Sequence, residues 1–416
     1  MTESVVIEPR DPLIVRDGRP FGATSGQRMK SLSWPTPTVV HGSLRTLLGK
    51  AAGGDFDNVT FVDGLKQITL AGPLPFVDGS LFLPRPLDCV VDDGSHAWAA
   101  RPLALCAGEG TDQASGIPLS PVALPDAAGD FKPAKQPPFW SVSQLADWLA
   151  DPSGENFQPS PDDDWGTEFL KPLPEDCRTH LQVDPATFAA EQGNLFSTTG
   201  LDFTRGTELS GELSTRLIVR VDACPPTFAP ALQSLNQLHS LGGERRLAHW
   251  RWCESRDVWS CPPRIEDAFR VAGSRGGTVC MRMVLATPAY FSTGWYPDWL
   301  TQPTKDDHLQ GVIPGTTVTL KLIGAVVDRW RPLSGWCYDR TGKKRGIDLP
   351  GPKPIRRLVP VGSVYFFEAA ATEIAALLAS SSGIAPLWLK TVCTDAASKR
   401  DGLGLAAWGV WNEHPT

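Results

Sequence analysis

The chain has 416 residues, of which 41% are hydrophobic and 20% are charged, and its formal net charge is −7. This length favours two domains with buried cores, and the composition is typical of a soluble globular protein. Because it has neither a membrane-length apolar run nor a secretory signal pattern, we expect a cytoplasmic protein with no membrane partner. The nine cysteines include no Cys-x-x-Cys pair, so we expect no disulfide, no metal and no cofactor.

The charge is unevenly distributed. Residues 151–176 contain eight acids and one base, Lys171, so the rest of the chain is neutral overall. Residues 340–357 contain seven bases and one acid, and residues 10–50 contain seven bases and two acids. Clustered basic charge is the electrostatic signature of a phosphate-binding surface, although a charge run is more often simply a solvated face. We expect the basic segments to face nucleic acid and the acidic segment to lie on the surface away from it.

In the first part of the chain, the pattern predicts a strand, a helix and a hairpin. Ser4–Val15 is rich in β-branched residues but contains two prolines, which suits an edge strand. Val39–Leu48 repeats apolar residues at three- and four-residue steps, as in a helix, and the glycines that follow can end it. Gln67–Leu74 and Ser80–Pro84 are two strands joined by an Asp-Gly turn.

Residues 107–165 are rich in Gly, Pro, Ser and Asp and indicate an insertion or long loop, in which Ser141 can cap a short helix. Arg216–Val221 alternates polar and apolar residues and is a predicted strand. A second set follows after about residue 240, with strands at Thr278–Ala286, Thr317–Val327, Gly362–Phe367 and Leu403–Trp411 and a helix at Ala369–Ser380. Strands and helices therefore interleave twice, each time in a block of a size suiting a βαββαβ unit.

The fold class predicted from this order is α+β, with two ferredoxin-like (RRM-like, βαββαβ) domains carrying long loop insertions. The first domain is placed at residues 1–235, with an acidic and Pro-rich insertion at about 107–176. The second is placed at residues 236–416 and contains a Gly-rich loop.

Four segments carry a family resemblance, namely Glu8–Phe21, Leu241–Arg246, Pro352–Phe367 and Asp401–Gly409. Together they resemble the third subunit of the Cmr-type (type III-B) CRISPR effector complex, a member of the RAMP superfamily of guide-RNA-binding proteins. The match runs in order from Glu8 to Trp411 and covers residues 107–200 poorly. It implies a non-catalytic, two-domain ferredoxin-like subunit that binds the 5′ tag of the CRISPR RNA. It also implies contacts with the large polymerase/cyclase-like subunit and with a backbone RAMP subunit.

The glycine-rich segment near the end is a candidate RNA contact. Gly402, Gly404 and Gly409 surround a predicted strand, and glycines let an RNA backbone approach peptide N–H groups closely. The alternative is a hairpin whose glycines serve only tight packing. Lys399 and Arg400 directly before the segment favour phosphate. Bulky substitution of Gly402 or Gly404 is then expected to weaken RNA binding while leaving folding largely intact.

Three further segments are candidate phosphate contacts. Gly42–Arg45 is interpreted as the beginning of the first helix, where unpaired N–H donors bind phosphate, with ordinary capping as the alternative. Arg245 and Arg246 could clamp a phosphate or form an ion pair with an acid such as Glu244. In Lys353–Arg357 the prolines keep the backbone extended, so the two arginines face opposite sides and at most one contacts RNA.

The complete set of candidate RNA-binding residues is Arg16, Arg19, Arg28, Lys30, His41, Gly42, Ser43, Arg45, Arg205, Arg245, Arg246, Lys353, Arg356, Arg357, Lys399, Arg400, Gly402 and Gly404. The fifteen tryptophans are expected mainly in the core or at subunit interfaces, although those close to arginines could stack on bases.

His41 is the basis of the main alternative function. Guide-RNA-processing endoribonucleases of the same superfamily use a histidine near the start of the first helix as a general acid or base. The first tyrosine of the chain is Tyr290 and Lys30 is the only obvious helper, so a capping or packing role is preferred for His41. A protein-only scaffold subunit and the equivalent subunit of a neighbouring type III complex are further alternatives.

Overall fold

The computed structural model describes residues 3–16, 21, 26–94, 96–103, 119–151, 167–204, 215–255, 257–303, 308–337, 351–380 and 382–412. The elements of the first part of the chain are β1 (Glu3–Pro9), β2 (Arg28–Met29), α1 (Pro37–Ala51), α2 (Val59–Lys66), β3 (Thr69–Val77), β4 (Ser80–Pro84), β5 (Cys89–Val91), β6 (Ala97–Ala99), β7 (Arg101–Pro102), β8 (Val122–Ala123), β9 (Phe139–Ser141), α3 (Val142–Ala150), β10 (Phe169–Leu170), β11 (Glu175–Val183), β12 (Ala190–Leu201), β13 (Arg216–Ala223), α4 (Ala229–Gln233), β14 (Asn236–Ser240) and β15 (Leu247–Glu254).

The first part also contains short 3₁₀ turns at Asp126–Ala128 and Gly243–Arg245. The second part of the chain follows after β15. Its elements are α5 (Pro263–Ser274), β16 (Thr278–Leu285), β17 (Gln302–Pro303), β18 (Leu309–Val312), β19 (Thr319–Val326), β20 (Arg331–Leu333), β21 (Trp336–Cys337), β22 (Gly351–Pro352), β23 (Arg356–Leu358), β24 (Val364–Ala370), α6 (Ala371–Ala379), β25 (Lys390–Thr391), α7 (Ala396–Arg400) and β26 (Leu405–Val410). Helices and antiparallel sheets are mixed throughout, so the α+β class is confirmed.

Two large sheets organise these elements. The first has eight strands in the order β10-β9-β4-β3-β13-β1-β15-β14, and the second has seven in the order β17-β18-β19-β24-β16-β26-β25. A separate three-stranded sheet has the order β11-β12-β2. The remaining paired strands form two-stranded ribbons, among them β20 with β23 and β21 with β22.

The centres of the two large sheets share one strand order. The rows β3-β13-β1-β15 and β19-β24-β16-β26 both read 2-3-1-4 when their strands are counted along the chain, and all these neighbours are antiparallel. Along the chain, helices α1 and α2 lie between β1 and β3 of the first row. Helix α6 lies between β24 and β26 of the second row. Between β16 and β19, however, the described part of the chain forms only loops and the short strands β17 and β18.

Strand β1 lies in the middle of its sheet. It pairs with β13 on one side and with β15 on the other, so that Val5 is opposite both Val219 and Trp252. The edge-strand interpretation was wrong, because Pro9 occupies the last position of the strand and its missing N–H interrupts no ladder in the interior. Since β14 and β15 also belong to this sheet, the first half extends to Glu254 and the boundary predicted at residue 235 is corrected accordingly.

Several local predictions are confirmed. The β3–β4 hairpin turns at Asp78 and Gly79, both at positive φ, as an Asp-Gly turn requires. The hydroxyl of Ser141 caps α3 by accepting a hydrogen bond from the Gln144 N–H at 3.1 Å. In the second half, the four predicted strands and the predicted helix begin and end within three residues of observed elements.

Both faces of the first sheet are buried at its centre, along β3, β13 and β1. Val5 and Ile7 of β1 belong to a core cluster with the apolar face of α1, whereas Val6 belongs to a second core cluster. That second cluster combines residues of both large sheets. Burial on both faces explains why the central strands are nearly continuous in apolar residues.

Helix α3, within the predicted insertion, is part of this shared core. Its side chains Leu145, Trp148 and Leu149 are buried, and it packs against α5 and β26 of the second half. The predicted short helix is therefore confirmed, and it packs between the two halves, a position that the sequence did not indicate.

A buried ion pair fixes α3 to the second sheet. Arg282 Nη1 donates to Asp88 Oδ2 at 2.8 Å, and both side chains are at most 2% exposed. Trp148 Nε1 donates to the other oxygen of the same carboxylate at 3.1 Å, and Arg282 also donates to the Trp148 carbonyl. Removing one partner of such a pair costs about 3–5 kcal/mol because the other charge is left buried. The two halves are thus held together by charge as well as by apolar packing.

The acidic segment is only partly described. Residues 152–166 lie outside the described ranges. Of the acids that the structure describes in this segment, Glu175 is exposed and the others are half-buried, namely Asp151, Glu168 and Asp176. Among the helices that the structure describes, none is both long enough and apolar enough to cross a membrane.

Candidate nucleic-acid interface

His41 lies where the two halves of the chain meet. Its side chain is 0% exposed and faces Gly402, on which a Cβ would lie 2.7 Å from His41 Cε1 and 2.7 Å from the Leu70 carbonyl oxygen. Burial, followed by the nearby charge of Arg45, lowers the pKa of His41 well below its usual value, and backbone groups facing the ring oppose this only in part. The imidazole is therefore neutral and enclosed.

Arg45 is used in the same contact. Its Nη1 donates to Asp401 Oδ1 at 2.6 Å, and its Nη2 donates to the carbonyls of Ile68 and Arg400 at 2.7 and 2.9 Å. Only 15% of its side chain is exposed. The guanidinium is therefore directed into the protein, where it joins α1 to the segment that follows α7.

The first helix begins at Pro37, after the N-cap residue Thr36, and not at Gly42. Gly42, Ser43 and Arg45 consequently lie in later turns, where N–H groups bond to carbonyls of the preceding turn. These residues therefore lack the unpaired N–H donors on which the predicted phosphate site depended, and that part of the prediction was wrong. Gly42 is exposed, and the Ser43 hydroxyl donates to the Ser240 carbonyl.

The peptide N–H groups of the glycine segment have partners within the chain. The N–H of Gly402 donates to the Lys399 carbonyl and that of Gly404 to the Pro288 carbonyl, at 3.3 and 2.9 Å. A Cβ on Gly404 would lie 2.5 Å from Cys393 Sγ. The glycines therefore let the chain pack closely on itself, and the expectation that substitution leaves folding intact is corrected. Binding of RNA by this segment stays a prediction.

The two cations before the glycine segment differ in exposure. Lys399 is exposed at the end of α7, whereas Arg400 is half-buried and offers its carbonyl to Arg45. Arg356 reaches the same helix, since its Nη1 donates to Ser398 Oγ at 3.3 Å.

The Arg245–Arg246 turn is a left-handed excursion of the backbone. Gly242 has φ of 74°, and a Cβ there would lie 2.4 Å from the Ile14 carbonyl oxygen, so this approach requires glycine. Arg246 forms an ion pair with Glu244 at 2.8 Å, which is the structural alternative considered from the sequence. Arg245 is exposed.

Exposed cations lie around the short strand β2 together with a half-buried aromatic ring. We call these residues the β2 patch: Arg16, Phe21, Arg28 and Lys30. Arg28 and Lys30 are exposed and flank buried Met29, so strand alternation places them on the same side. The guanidinium carbon of Arg16 lies 5.5 Å from the ring centre of Phe21. Arg19 and Arg205 lie outside the described residues.

The predicted extended segment before β24 forms strand β23, which pairs with β20. Its two arginines have different partners, as the alternation predicts: Arg356 lies over Tyr290 and Arg357 over Trp330, each with its guanidinium carbon 4.9 Å from the ring centre. Arg356 is half-buried, whereas Arg357 and Lys353 are exposed.

The structure thus distributes the candidates over three places. The contact between the halves takes His41, Arg45, Arg400 and Gly402. Ser43 bonds within the first half, and Gly404 packs within the second. The β2 patch and the nearby turn that packs on Ile14 hold Arg16, Arg28, Lys30, Arg245 and Arg246. The ribbon of β20 and β23, with the adjoining α7, holds Lys353, Arg356, Arg357 and Lys399.

One exposed apolar surface was missed by sequence reasoning. On the β11–β12 hairpin, Leu181 is directly opposite Leu195, and their side chains are 51% and 55% exposed. Phe188, between the two strands, is 85% exposed. The alternation of Leu181 and Val183 was a usable strand signal, but no sequence pattern shows that the face would be left uncovered. We call Leu181, Val183, Phe188 and Leu195 the hairpin tip.

Within the described ranges, no three His, Cys, Asp or Glu side chains are grouped as a metal site would require. The fold and its surface therefore define an α+β protein of two joined sheets with exposed cations beside aromatic rings. The chain matches the family model of the CRISPR-associated protein (Cas_Cmr3) over residues 5–411, and it belongs to that family. The resemblance to the third subunit of the Cmr-type CRISPR effector is confirmed by this match.

Solved structures give weaker likenesses. A chain of the type III-B Cmr-beta complex bound to cognate target RNA and AMPPnP is 14% identical, with 90% of this chain and 88% of that chain covered and a TM-score of 0.44. A chain of the Csm3-Csm4 subcomplex of the type III-A interference complex is 10% identical, with 88% and 92% covered and a TM-score of 0.34. No curated protein sequence matches the chain.

Proposed function

We propose that this protein is a non-catalytic, RNA-binding subunit of a type III-B CRISPR ribonucleoprotein effector in antiviral defence. In this role it holds the 5′ tag of the CRISPR RNA and joins the large polymerase/cyclase-like subunit to the backbone subunits. The observation that carries the proposal is the family match, which spans residues 5–411 and therefore both halves of the chain. The shared 2-3-1-4 strand order supports two ferredoxin-like units.

The RNA surface is proposed on cations that remain exposed. Arg28 and Lys30 project from one side of β2, and Arg16 lies beside the ring of Phe21. Exposed cations next to aromatic rings suit single-stranded RNA, because phosphates meet the charges while bases stack on the rings. Arg45 is excluded from this surface, since its donors already serve Asp401 and two carbonyls.

The absence of catalysis is part of the proposal, and the position of His41 supports it. A general acid or base must come within hydrogen-bonding distance of the proton that it moves. His41, a residue of α1, is fully buried against Gly402, and its lowered pKa keeps it neutral. The endoribonuclease alternative would require the two halves to separate before RNA could reach this imidazole.

The proposal is tested by anisotropy titrations of the purified chain with tagged and tag-less guide RNA of equal length. We expect tighter binding of the tagged RNA. The combined variant Arg16→Ala, Arg28→Ala and Lys30→Ala should weaken binding. It should also lower the slope of log affinity against log salt by about 0.7 for each single-strand phosphate that these cations no longer neutralise.

The matched control removes exposed cations elsewhere. Lys66 and Arg270 are both more than half exposed and are paired only with neighbouring acids on their own helices. Their replacement by alanine should leave RNA affinity and its salt slope unchanged. Equal affinity for tagged and tag-less RNA contradicts the tag role, and an unchanged slope in the triple variant contradicts the proposed surface.

A protein-only scaffold is the second candidate function, and the exposed hairpin tip favours it. Contiguous exposed apolar side chains mark protein contacts more often than RNA contacts. If the chain assembles with partner subunits but binds no RNA in the titrations above, the scaffold role replaces the RNA-binding one.

A further inference from the structure

A cavity of about 440 Å³ opens beside the β20–β23 ribbon. It is lined by Gly294, Trp295, Val327, Asp328, Arg329, Trp330, Arg357 and Val359. From the sequence, Arg357 was a candidate RNA contact and Trp330 was one of the tryptophans close to arginines that could stack on a base. A volume of this size lies within the range of small-molecule sites and accommodates one nucleotide.

The walls of this cavity are held in place by the fold. Ala289 and Val359 exchange two backbone hydrogen bonds of 3.0 and 2.8 Å, which join the wall carrying Trp295 to the wall carrying Arg357. The Tyr365 hydroxyl donates to the Trp295 carbonyl, and Asp298 accepts hydrogen bonds from the turn before it. The cavity is therefore largely preformed, as binding sites for small ligands usually are.

The lining favours a planar ligand that carries negative charge. Trp330 is 44% exposed although it is a large aromatic side chain, and the guanidinium of Arg357 lies 4.9 Å from its ring centre. Indole and guanidinium planes are the surfaces on which unpaired bases stack. Arg329 and Arg357 can neutralise a phosphate, which an uncharged apolar ligand would not require.

Asp328 is the acidic side chain of the lining. One of its oxygens accepts a hydrogen bond from the Arg329 N–H at 2.6 Å, and the other lies 3.6 Å from Arg331 Nη2. Its side chain is 55% exposed, so it can turn toward a ligand. A carboxylate accepts two hydrogen bonds side by side. Guanine offers two adjacent donors, N1–H and N2–H, whereas adenine, cytosine and uracil each place an acceptor beside their donor.

We propose that this cavity binds one unpaired guanine nucleotide. The base stacks on the indole of Trp330 beside Trp295, its N1–H and N2–H donate to Asp328, and its phosphate lies at Arg329 and Arg357. The guanine is carried either by an RNA strand or by a free nucleotide. The first source rests on the function proposed above, whereas the second does not.

The test titrates the purified full chain with GMP, AMP, CMP and UMP and follows binding by calorimetry and tryptophan fluorescence. GMP should bind at least about tenfold more tightly than AMP, the discrimination typical of a paired hydrogen bond to a base. Trp330→Ala should abolish GMP binding. Asp328→Asn should remove the preference for GMP, because the amide places a donor where guanine needs an acceptor. Trp336→Ala is the matched control, since Trp336 is 51% exposed near the same ribbon but does not line the cavity.

The second arm distinguishes the two sources. A tag-length RNA is compared with a version in which every guanine is replaced by adenine, each with and without competing GMP. Binding of GMP alone supports a free nucleotide. Binding of only the guanine-containing RNA, weakened by Trp330→Ala and Asp328→Asn, supports a strand.

Equal affinity for the four nucleotides overturns the proposal. So does GMP binding that survives both substitutions, or RNA binding indifferent to guanine with no GMP binding. Loss of tag preference with GMP binding retained overturns the proposed function and leaves the cavity assignment standing.

Discussion

Two regions of the molecule contain the same kinds of residues and use them differently. At the contact between the halves, Arg45 is only 15% exposed and is bound to Asp401 and two carbonyls. At the ribbon, Arg357 is exposed and lies over the ring of Trp330. A carboxylate and carbonyls satisfy the donors of a guanidinium, whereas an aromatic ring covers its face and leaves the N–H groups directed elsewhere. The partner of an arginine, and not the arginine itself, therefore separates an internal contact from a candidate ligand site.

The largest expected effect concerns the glycine that closes the contact between the halves. Gly402→Val places a β-branched side chain at φ of +64°, with its Cβ 2.7 Å from His41 Cε1. Left-handed strain and overpacking together should lower the free energy of unfolding by about 4 kcal/mol. Urea denaturation measures this change. Gly276→Val is the control, because Gly276 has φ of +71° but nothing within 4 Å of a Cβ. Equal losses in both variants would contradict the contact as the cause.

The second prediction tests the ion pair beside it. A double-mutant cycle of Arg45→Ala and Asp401→Ala should give a coupling of about 2 kcal/mol, because the pair is largely withdrawn from water and is 2.6 Å long. The exposed pair Lys66–Asp63, at 2.9 Å, should give no more than about 0.5 kcal/mol in the same measurement. Similar coupling in the two pairs would show that burial makes no difference here.

The third prediction is a pH dependence centred on His41. Its pKa in the folded protein is lowered well below 6.5, so the unfolded chain takes up a proton below pH 6.5 while the folded protein does not. Stability therefore decreases as the pH falls below 6.5, and this group should contribute a loss of roughly 1 kcal/mol at pH 5.5 relative to pH 7.5. Urea unfolding at the two pH values measures the change. His41→Gln should reduce the drop by that amount, and an unchanged drop in this variant would show that His41 is not its source.

The smallest expected effect is at the hairpin tip. Leu181→Gln and Leu195→Gln should change the free energy of unfolding of the isolated chain by no more than about 0.5 kcal/mol, since both side chains are more than half exposed. Leu217→Gln is the buried control and should destabilise strongly, because its side chain is 0% exposed. If the tip variants prove as destabilising as the buried one, the tip packs against the chain and is not a free surface. Thermal unfolding followed by circular dichroism is sufficient for this test.

The sequence by itself determined features whose cause is local. The Asp78–Gly79 turn follows from the positive φ that these residues tolerate, and the Ser141 cap follows from a hydroxyl placed before an amphipathic run. The apolar periodicity of α1 likewise reflects one buried face of one helix. The four segments that resemble the family were also readable without a structure, and the match over residues 5–411 agrees with them.

Only the tertiary structure decided which residues face inward. Arg45 and Asp401 are 356 positions apart, and no local pattern encodes such a pairing. Strand β1 is central because it pairs with β13 and β15, and both of these strands lie far from it along the chain. Gly402, singled out in the sequence as a candidate RNA contact, packs on His41, and no local pattern indicated that contact. Burial depends on which distant surfaces meet, and their meeting is set by the summed packing of both halves, whereas a turn or a cap is set by a few neighbouring residues.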